Sequence, residues 1–450
     1  MRIAIIGSGI SGLTLAHHLY KNHDITVFEA NSHIGGHTHT HAIDLFGESY
    51  QVDTGFIVFN DRTYPHFNQL LDELKVPWQP SSMSFSVRNE ATGLEYNGTT
   101  INSLFAQRRN FLKPSFYGMI SDILRFNKES LALLEAGDEI SLGDYLTQNH
   151  YKPLFINNYI VPMGAAIWST DAAQMMDFPA RFLVRFFHHH GMLTVNNRPQ
   201  WRTIAGGSAR YVEALTEPFK TKIKLNTPVA SVRRLNDSVL LKPQHGEELT
   251  FDYVFFACHS DQALSMLDGN ASAAEREILG AIPYQENSIY LHHDRSLLPK
   301  RKLAWAAWNY HVTHHKSSLA SNKVQVTNHL PVTNKVQVTN HLPVTNKVQV
   351  TYNMNILQNL KSPEPILVTL NHTNLINPAK VIKRLKYMHP VYTIAGAAAQ
   401  ARHAEISGVN RTGYAGAYWR NGFHEDGVAS ALAALKHFKN SLNVEKNLSE

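Results

Sequence analysis

"RIAIIGSGISGLTLAHHLY", residues 2–20, decides the fold. Ile3, Ile5 and Ile6 supply a β-branched run for a short buried strand, and Ile10, Leu13, Ala16 and Leu19 then recur at helical spacing. At the junction stand Gly7, Gly9 and Gly12 in a G-x-G-x-x-G pattern, with Ser8, Ile10 and Ser11 between them. Gly7 makes the tight turn, Gly9 lets backbone N–H groups approach a pyrophosphate, and Gly12 lets the helix pack close to the strand. Phosphates then sit at the helix N-terminus, where unpaired N–H groups and the helix dipole favour an anion. A second strand, "DITVFEA" (24–30), brings Glu29 and Ala30 to the same edge. Glu29 lies about 20 residues on, where a carboxylate accepts hydrogen bonds from ribose hydroxyls. The pattern predicts a dinucleotide site.

The stretch after Glu29 separates one dinucleotide from another. "EANSHIGGHTHT" (29–40) resembles the E-x-x-x-x-x-G-G-[R/H] segment of FAD proteins related to glutathione reductase and to the flavin amine oxidases. The resemblance implies that Gly35 and Gly36 bring the chain back over the pyrophosphate and that His37 and Thr38 contact the cofactor. "GYAGAYWRNGFHEDGVASALAAL" (413–435) looks like the closing FAD segment of the flavin-containing amine oxidase and desaturase superfamily, with a helix over 428–436. Relatives carry Asp or Glu shortly after the glycine at position 416, where this chain has Ala417 and Tyr418. "VDTGFIVFN" (52–60), with Gly55, Phe56 and Ile57, resembles the loop passing the flavin ring. "GGSARYVEAL" (206–215) resembles the middle FAD segment, and "VASVRR", from Val229, the strand whose backbone meets the adenine.

The resemblance implies an α/β fold: a Rossmann-like, three-layer FAD-binding domain of the glutathione-reductase type with an interleaved α+β substrate domain. The FAD domain is expected from residues 1–80, 200–265 and 405–440, and the substrate domain from 81–199 and 266–404. The cofactor is FAD, held by the residues named above together with Gly416, Phe423, His424 and Glu425. Phe423 falls at an aromatic-wall position. His424 falls where a backbone N–H faces the flavin C2 carbonyl, and its side chain is a candidate general base. Glu425 has a plainer alternative as a helix-start carboxylate.

"VDTGFIVFNDRTYP", "PMGAAIWS", "RPQWRTIAGGS" and "GFHEDG" together resemble a bacterial subgroup of NAD/FAD-binding proteins often encoded beside cyclopropane-fatty-acyl-phospholipid synthases. That association implies an FAD-dependent oxidoreductase acting on an apolar, acyl-lipid substrate. A true amine oxidase and a non-catalytic binding protein, as the Rab GDP-dissociation inhibitors are on this fold, stay open as alternatives.

The histidines of "HIGGHTHTH" (33–41) alternate as metal ligands on a strand would. The glycine pair makes them a cofactor-contact segment, and no metal is expected. "FFHHHG" (186–191) reads as a loop or solvated strand, His389 before Pro390 as an extended segment, and Cys258 as a small core residue. "SLFAQRRNFLKPSFYGMISDILRF" (103–126) reads as a buried helical region, with a membrane-facing surface the alternative.

Composition bounds the partners. With 42 basic against 36 acidic residues the net charge is +6, too diffuse for a nucleic-acid footprint. The single cysteine forbids an internal disulfide. No signal peptide is expected ahead of the first strand, and no apolar run reaches the ~18 residues that span a bilayer. A cytoplasmic protein is expected, with peripheral contact to the inner face of the membrane left open; the oligomeric state is not legible. The partner expected is a small-molecule or lipid substrate. A perfect twelve-residue repeat, "NKVQVTNHLPVT", occupies 322–333 and 334–345 and restarts at 346. The last copy runs into "YNMNILQ" and is expected to take a sheet position, leaving 322–345 as a loop insertion.

Overall fold

The computed structural model describes residues 1–135, 140–196, 198–313 and 347–449. Its first layer is a parallel five-stranded sheet in the order Ile223–Lys224, Asp24–Phe28, Arg2–Ile6, Tyr253–Phe256, Thr412–Tyr414. Ile3 is registered against Ile25 on one side and Tyr253 on the other. Alternation along the central strands fills two cores at once. Ile3, Ile5, Tyr253 and Phe255 face a core shared with the helices Ile10–Leu19 and His424–Ser449, while Ala4, Ile6, Val254 and Phe256 face a second. A strand buried on both faces needs apolar residues at successive positions, which is why this one reads as an unbroken run. The antiparallel strands Val229–Arg234, Val239–Pro243 and Leu249–Phe251 cover the second face.

A larger, mixed sheet of seven strands runs Val381–Pro390, Tyr284–His292, Leu367–Leu370, Val350–Asn353, Trp308–Val312, Phe85–Asn89, Leu94–Asn97. Its apolar face shares one core with the helices Pro114–Glu129, Leu142–Gln148, Val161–Trp168 and Ala180–His189. The strand at the end of the last repeat copy takes a central place here, with Val348 and Val350 buried. The two earlier copies, 322–345, lie outside the described residues.

Three local expectations are corrected. The closing helix begins at His424 and runs to Ser449, because Asp426 accepts the Phe423 N–H at 2.9 Å and so satisfies a donor at its start. His188 and His189 end the helix Ala180–His189, and His190 caps it, its ring stacked 3.8 Å from Phe186. The 103–126 region is not wholly buried. Pro114 starts a helix whose Phe116, Met119 and Phe126 point inward, while Phe111, Leu112, Tyr117 and Leu124 stay exposed.

Candidate active site

The glycine turn is built as its spacing demands. Gly7 has φ +108°, and a Cβ there would meet the Ala257 carbonyl oxygen at 2.6 Å; one on Gly12 would meet the Gly7 oxygen at 2.0 Å. A Cβ on Gly9 meets nothing within 4 Å, because Gly9 faces a cavity of about 1100 Å³. Gly7, Ser8, Ile10 and Ser11 share that wall, whereas Gly12 is buried behind it. The helix Ile10–Leu19 has no side-chain cap and no acid in its first turn, so its free N–H groups stay available to an anion.

Glu29 and Ala30 continue the wall. One Glu29 oxygen accepts from the Ser8 N–H (2.9 Å) and hydroxyl (2.7 Å), the other from the Asn31 N–H and side-chain amide, both at 2.8 Å. Four donors thus fix the carboxylate at the cavity edge. Val229 lies further along the same edge.

Gly35 and Gly36 cross directly over the first loop. The Gly35 N–H reaches the Ser8 carbonyl at 3.0 Å, and a Cβ on Gly36 would stand 3.2 Å from the Gly9 Cα. The next residues are stitched to the 54–57 segment: the Phe56 N–H donates to the His37 carbonyl at 2.8 Å, leaving no room for a side chain at Gly55. Gly55, Phe56 and Ile57 all line the cavity.

Of the three histidines of the opening alternation, His39 and His41 stay together, with ring centres 4.0 Å apart, and His37 leaves them. His37 turns toward Tyr387 and His389, at 5.1 and 5.5 Å between ring centres, with its Nε2 buried and unpartnered. Burial, reinforced by His259, pushes its pKa down to about 4, so the ring is neutral. His39 stacks on His33 at 4.0 Å. His41 is engaged at both nitrogens, accepting from Lys383 Nζ at 3.0 Å and bonding Thr54 Oγ1 at 3.1 Å.

His424 and Thr38 belong to a buried cluster at the cavity's edge. His424 Nε2 lies 2.9 Å from Thr38 Oγ1 and 2.8 Å from the Tyr211 hydroxyl, and its ring stacks on Phe56 at 3.5 Å. Burial pushes its pKa well below the usual imidazole value. Phe423 lines the cavity, stacked 5.0 Å from Phe186, and Gly416 lies on the same wall. Glu425 is not brought there. Its carboxylate accepts the N–H groups of His66 and Phe67 at the start of the helix Pro65–Glu73, the helix-start alternative realised on a different helix.

Several residues to which the sequence reading gave no role in the site complete it. Tyr387 and His389 alternate on the strand Val381–Pro390 and both face the cavity, a period-two signal present in "YMHP". His259 stacks on Tyr284 at 4.4 Å, and Cys258, half-buried and packed against the core on the second face of the parallel sheet, also reaches the cavity wall. Asp53, buried, takes hydrogen bonds from Thr40, Ser208 and Gln358, tying the segment after the glycine pair at 206–207 to Thr40 and to the end of the helix Met354–Leu357. Asp426 had no signal beyond its place in "GFHEDG". Away from the glycine turn the cavity runs between Trp168, Trp308, Tyr352, Val368, Leu370 and Tyr392.

FAD fits these residues. Uncapped amides meet an open glycine, an oriented carboxylate stands at the cavity edge beside them, and His37 offers an unsatisfied buried nitrogen. The chain is 22% identical over 327 residues to an L-amino-acid oxidase of Siganus canaliculatus, covering 64% of this chain and 55% of that protein. It is 24% identical over 336 residues to the carotenoid phi-ring synthase of Chlorobaculum tepidum, covering 70% and 47%. The chain therefore spans about half the length of the curated relatives it matches. Its fold is that of cyclohexylamine oxidase from Brevibacterium oxydans, with a TM-score of 0.66 over 99% of both chains at 14% identity. The model of the family described as "Flavin containing amine oxidoreductase" matches residues 10–371, and with that the chain belongs to this family.

Proposed function

We propose that this protein is an FAD-dependent oxidoreductase that removes hydrogen from a C–H bond of an uncharged, apolar substrate, of which a fatty-acyl lipid is the best fit. The observation that supports this reading most is the cavity beyond Phe423. Its walls there are Trp168, Trp308, Tyr352, Val368, Leu370 and Tyr392, and the acids lining the cavity, Glu29 and Asp261, stand at the dinucleotide end. A protonated amine brought among those walls finds no carboxylate to offset its lost hydration. A hydrocarbon chain gains from the same burial, about 0.8 kcal/mol for each methylene.

In this reading Gly7 to Ser11 would hold the pyrophosphate, Glu29 and Ala30 the ribose, and Val229 the adenine. Gly35, Gly36, His37, Gly55, Phe56, Ile57 and Gly416 would line the rest of the cofactor. Bound FAD supplies a hydride acceptor, chemistry that no side chain provides. The chain's own part is to hold the substrate bond and exclude water, which the aromatic walls do. His37, His259 and His389 are neutral, pushed down to about 4, 4 and 3 by burial, so none of these three rings adds a positive charge to the wall. Proton movement has a route. Tyr387, on the cavity, bonds Thr54 Oγ1 at 2.9 Å, which bonds His41, which accepts from the exposed Lys383. With Lys383 the donor at its outer end, the chain is polarised to hand a proton inward toward the Tyr387 oxygen, and burial, which pushes the Tyr387 phenol up to about 12, keeps that hydroxyl protonated.

Product analysis tests the reading. The FAD-loaded protein, incubated with fatty-acyl lipids and an electron acceptor, should yield products lighter by two hydrogens. Unchanged acyl lipids, together with ammonia released from amines, would overturn it in favour of an amine oxidase.

A further inference from the structure

Apolar exposure is concentrated in one place. Of the fifteen large apolar residues exposed among the described residues, six fall between Ile101 and Leu131. Leu112 is 88% exposed and Ile101 76%, far beyond the scattered exposure that any soluble surface carries. They are held out by structure. Phe111 stacks on the buried Phe105 with ring centres 4.0 Å apart, and the Tyr117 hydroxyl donates to the Phe111 carbonyl at 3.1 Å. Tyr117 and Leu124 then lie two turns apart on the outer side of the helix Pro114–Glu129.

The charge around the apolar tip is positive. Arg108, Arg109 and Lys113 flank the apolar tip and are exposed. The sole acid in residues 98–128 is Asp122, which is buried and paired with Arg125. A distant part of the chain adds to the set. The turn Lys302–Ala304 packs against the helix Ile101–Leu104 and sets the exposed Lys300, Lys302 and Leu303 beside it. Neither stretch signals this alone.

We propose that this surface docks on an anionic lipid bilayer, with Leu112, Phe111 and Ile101 entering the headgroup boundary and the lysines and arginines meeting lipid phosphates. Protruding aliphatic and aromatic side chains ringed by cations are the chemistry of interfacial binding. A soluble partner protein would be met by both signs of charge at its rim, whereas cations alone flank the 111–113 tip and the exposed Glu129 beyond it is paired with Arg125.

Flotation of the flavin-loaded protein with lipid vesicles tests it. The wild type should float with vesicles of phosphatidylcholine mixed with phosphatidylglycerol, and far less with phosphatidylcholine alone. The pair Lys113→Gln and Lys302→Gln should weaken binding about 25-fold, roughly fivefold for each charge. Leu112→Ser should weaken it about tenfold. All three positions are exposed, so bound flavin and Tm should match the wild type. No flotation with mixed vesicles, or equal flotation by the variants, would overturn the proposal. So would a dimer in solution that Leu112→Ser abolishes while vesicles are ignored. The test is separate from substrate choice: vesicle binding without acyl oxidation would retain this surface and remove the lipid-substrate reading.

Discussion

The imidazole of His424 lies 3.5 Å from the ring of Phe56, centre to centre and 13° from parallel, joining the closing helix to the 54–57 segment from the first part of the chain. Thr38 and Tyr211 hold its Nε2, so four segments distant in sequence meet on one ring. Thr38→Val and Tyr211→Phe in combination strip both partners from a buried nitrogen. The cost should be about 1–3 kcal/mol, measured by urea unfolding. His424→Phe, which keeps the stack and removes the polar atom, should lose less. Equal stability in all three proteins would show that the cluster is not a structural joint.

Gly9 and Gly12 separate the cofactor role from the packing role. Gly9 has ordinary extended dihedrals and open space for a side chain, so Gly9→Val should fold with an unchanged Tm and fail to bind FAD. Gly12→Ala drives a methyl into the Gly7 carbonyl and should lower stability by several kcal/mol, about the cost of severe overpacking or more. Thermal melts with and without added FAD read both effects. A Gly9→Val protein that retains flavin would remove the glycine turn from the cofactor site.

Legibility in the sequence tracks the length scale of each signal. The glycine turn, Glu29 and the glycine pair are local: each rests on spacing within a strand, a turn and a helix, and each stands where its spacing put it. Tyr211, His259 and Asp426 carry no local signal because their roles arise only when remote segments meet, as Tyr211 meets His424 across 213 residues. Glu425 shows the same limit from the other side. Its place in "GFHEDG" suggested the cofactor, but the helix Pro65–Glu73 offered it two backbone donors, and that long-range partner won.

Buried histidines set the acid stability. His37, His39, His259, His372 and His403 are pushed to about 4, and His41, His311 and His389 to about 3, chiefly by burial. The unfolded chain therefore binds more protons than the native one below pH 6.5. The stability they contribute is complete above pH 6.5 and should fall progressively from there toward pH 4, which Tm against pH will show.

Asp426 titrates in the opposite sense. Burial raises its carboxyl from 3.8 to about 7, so the native state holds a proton that the unfolded state releases. Its contribution is present below pH 3.8 and lost as pH rises through 7. Asp426→Asn, whose amide oxygen can still accept the Phe423 N–H, should raise Tm at pH 8 and leave it nearly unchanged at pH 4. Equal effects at both pH values would refute the shifted carboxyl.

Removal of residues 322–345 should leave a folded flavoprotein. The strands on either side, Trp308–Val312 and Val350–Asn353, are antiparallel neighbours with Tyr310 opposite Val350, so a much shorter connection spans them. Loop entropy changes by only about 0.6 kcal/mol for each doubling of length. Loss of flavin binding in the deletion protein would overturn this.

The most direct measurement is anaerobic mixing of the FAD-loaded protein with candidate substrates while the flavin absorbance is followed. Fatty-acyl lipids should bleach the flavin, and primary or secondary amines of similar size should leave it oxidised. Bleaching by the amines with no response to the lipids would contradict oxidation of an uncharged, apolar substrate.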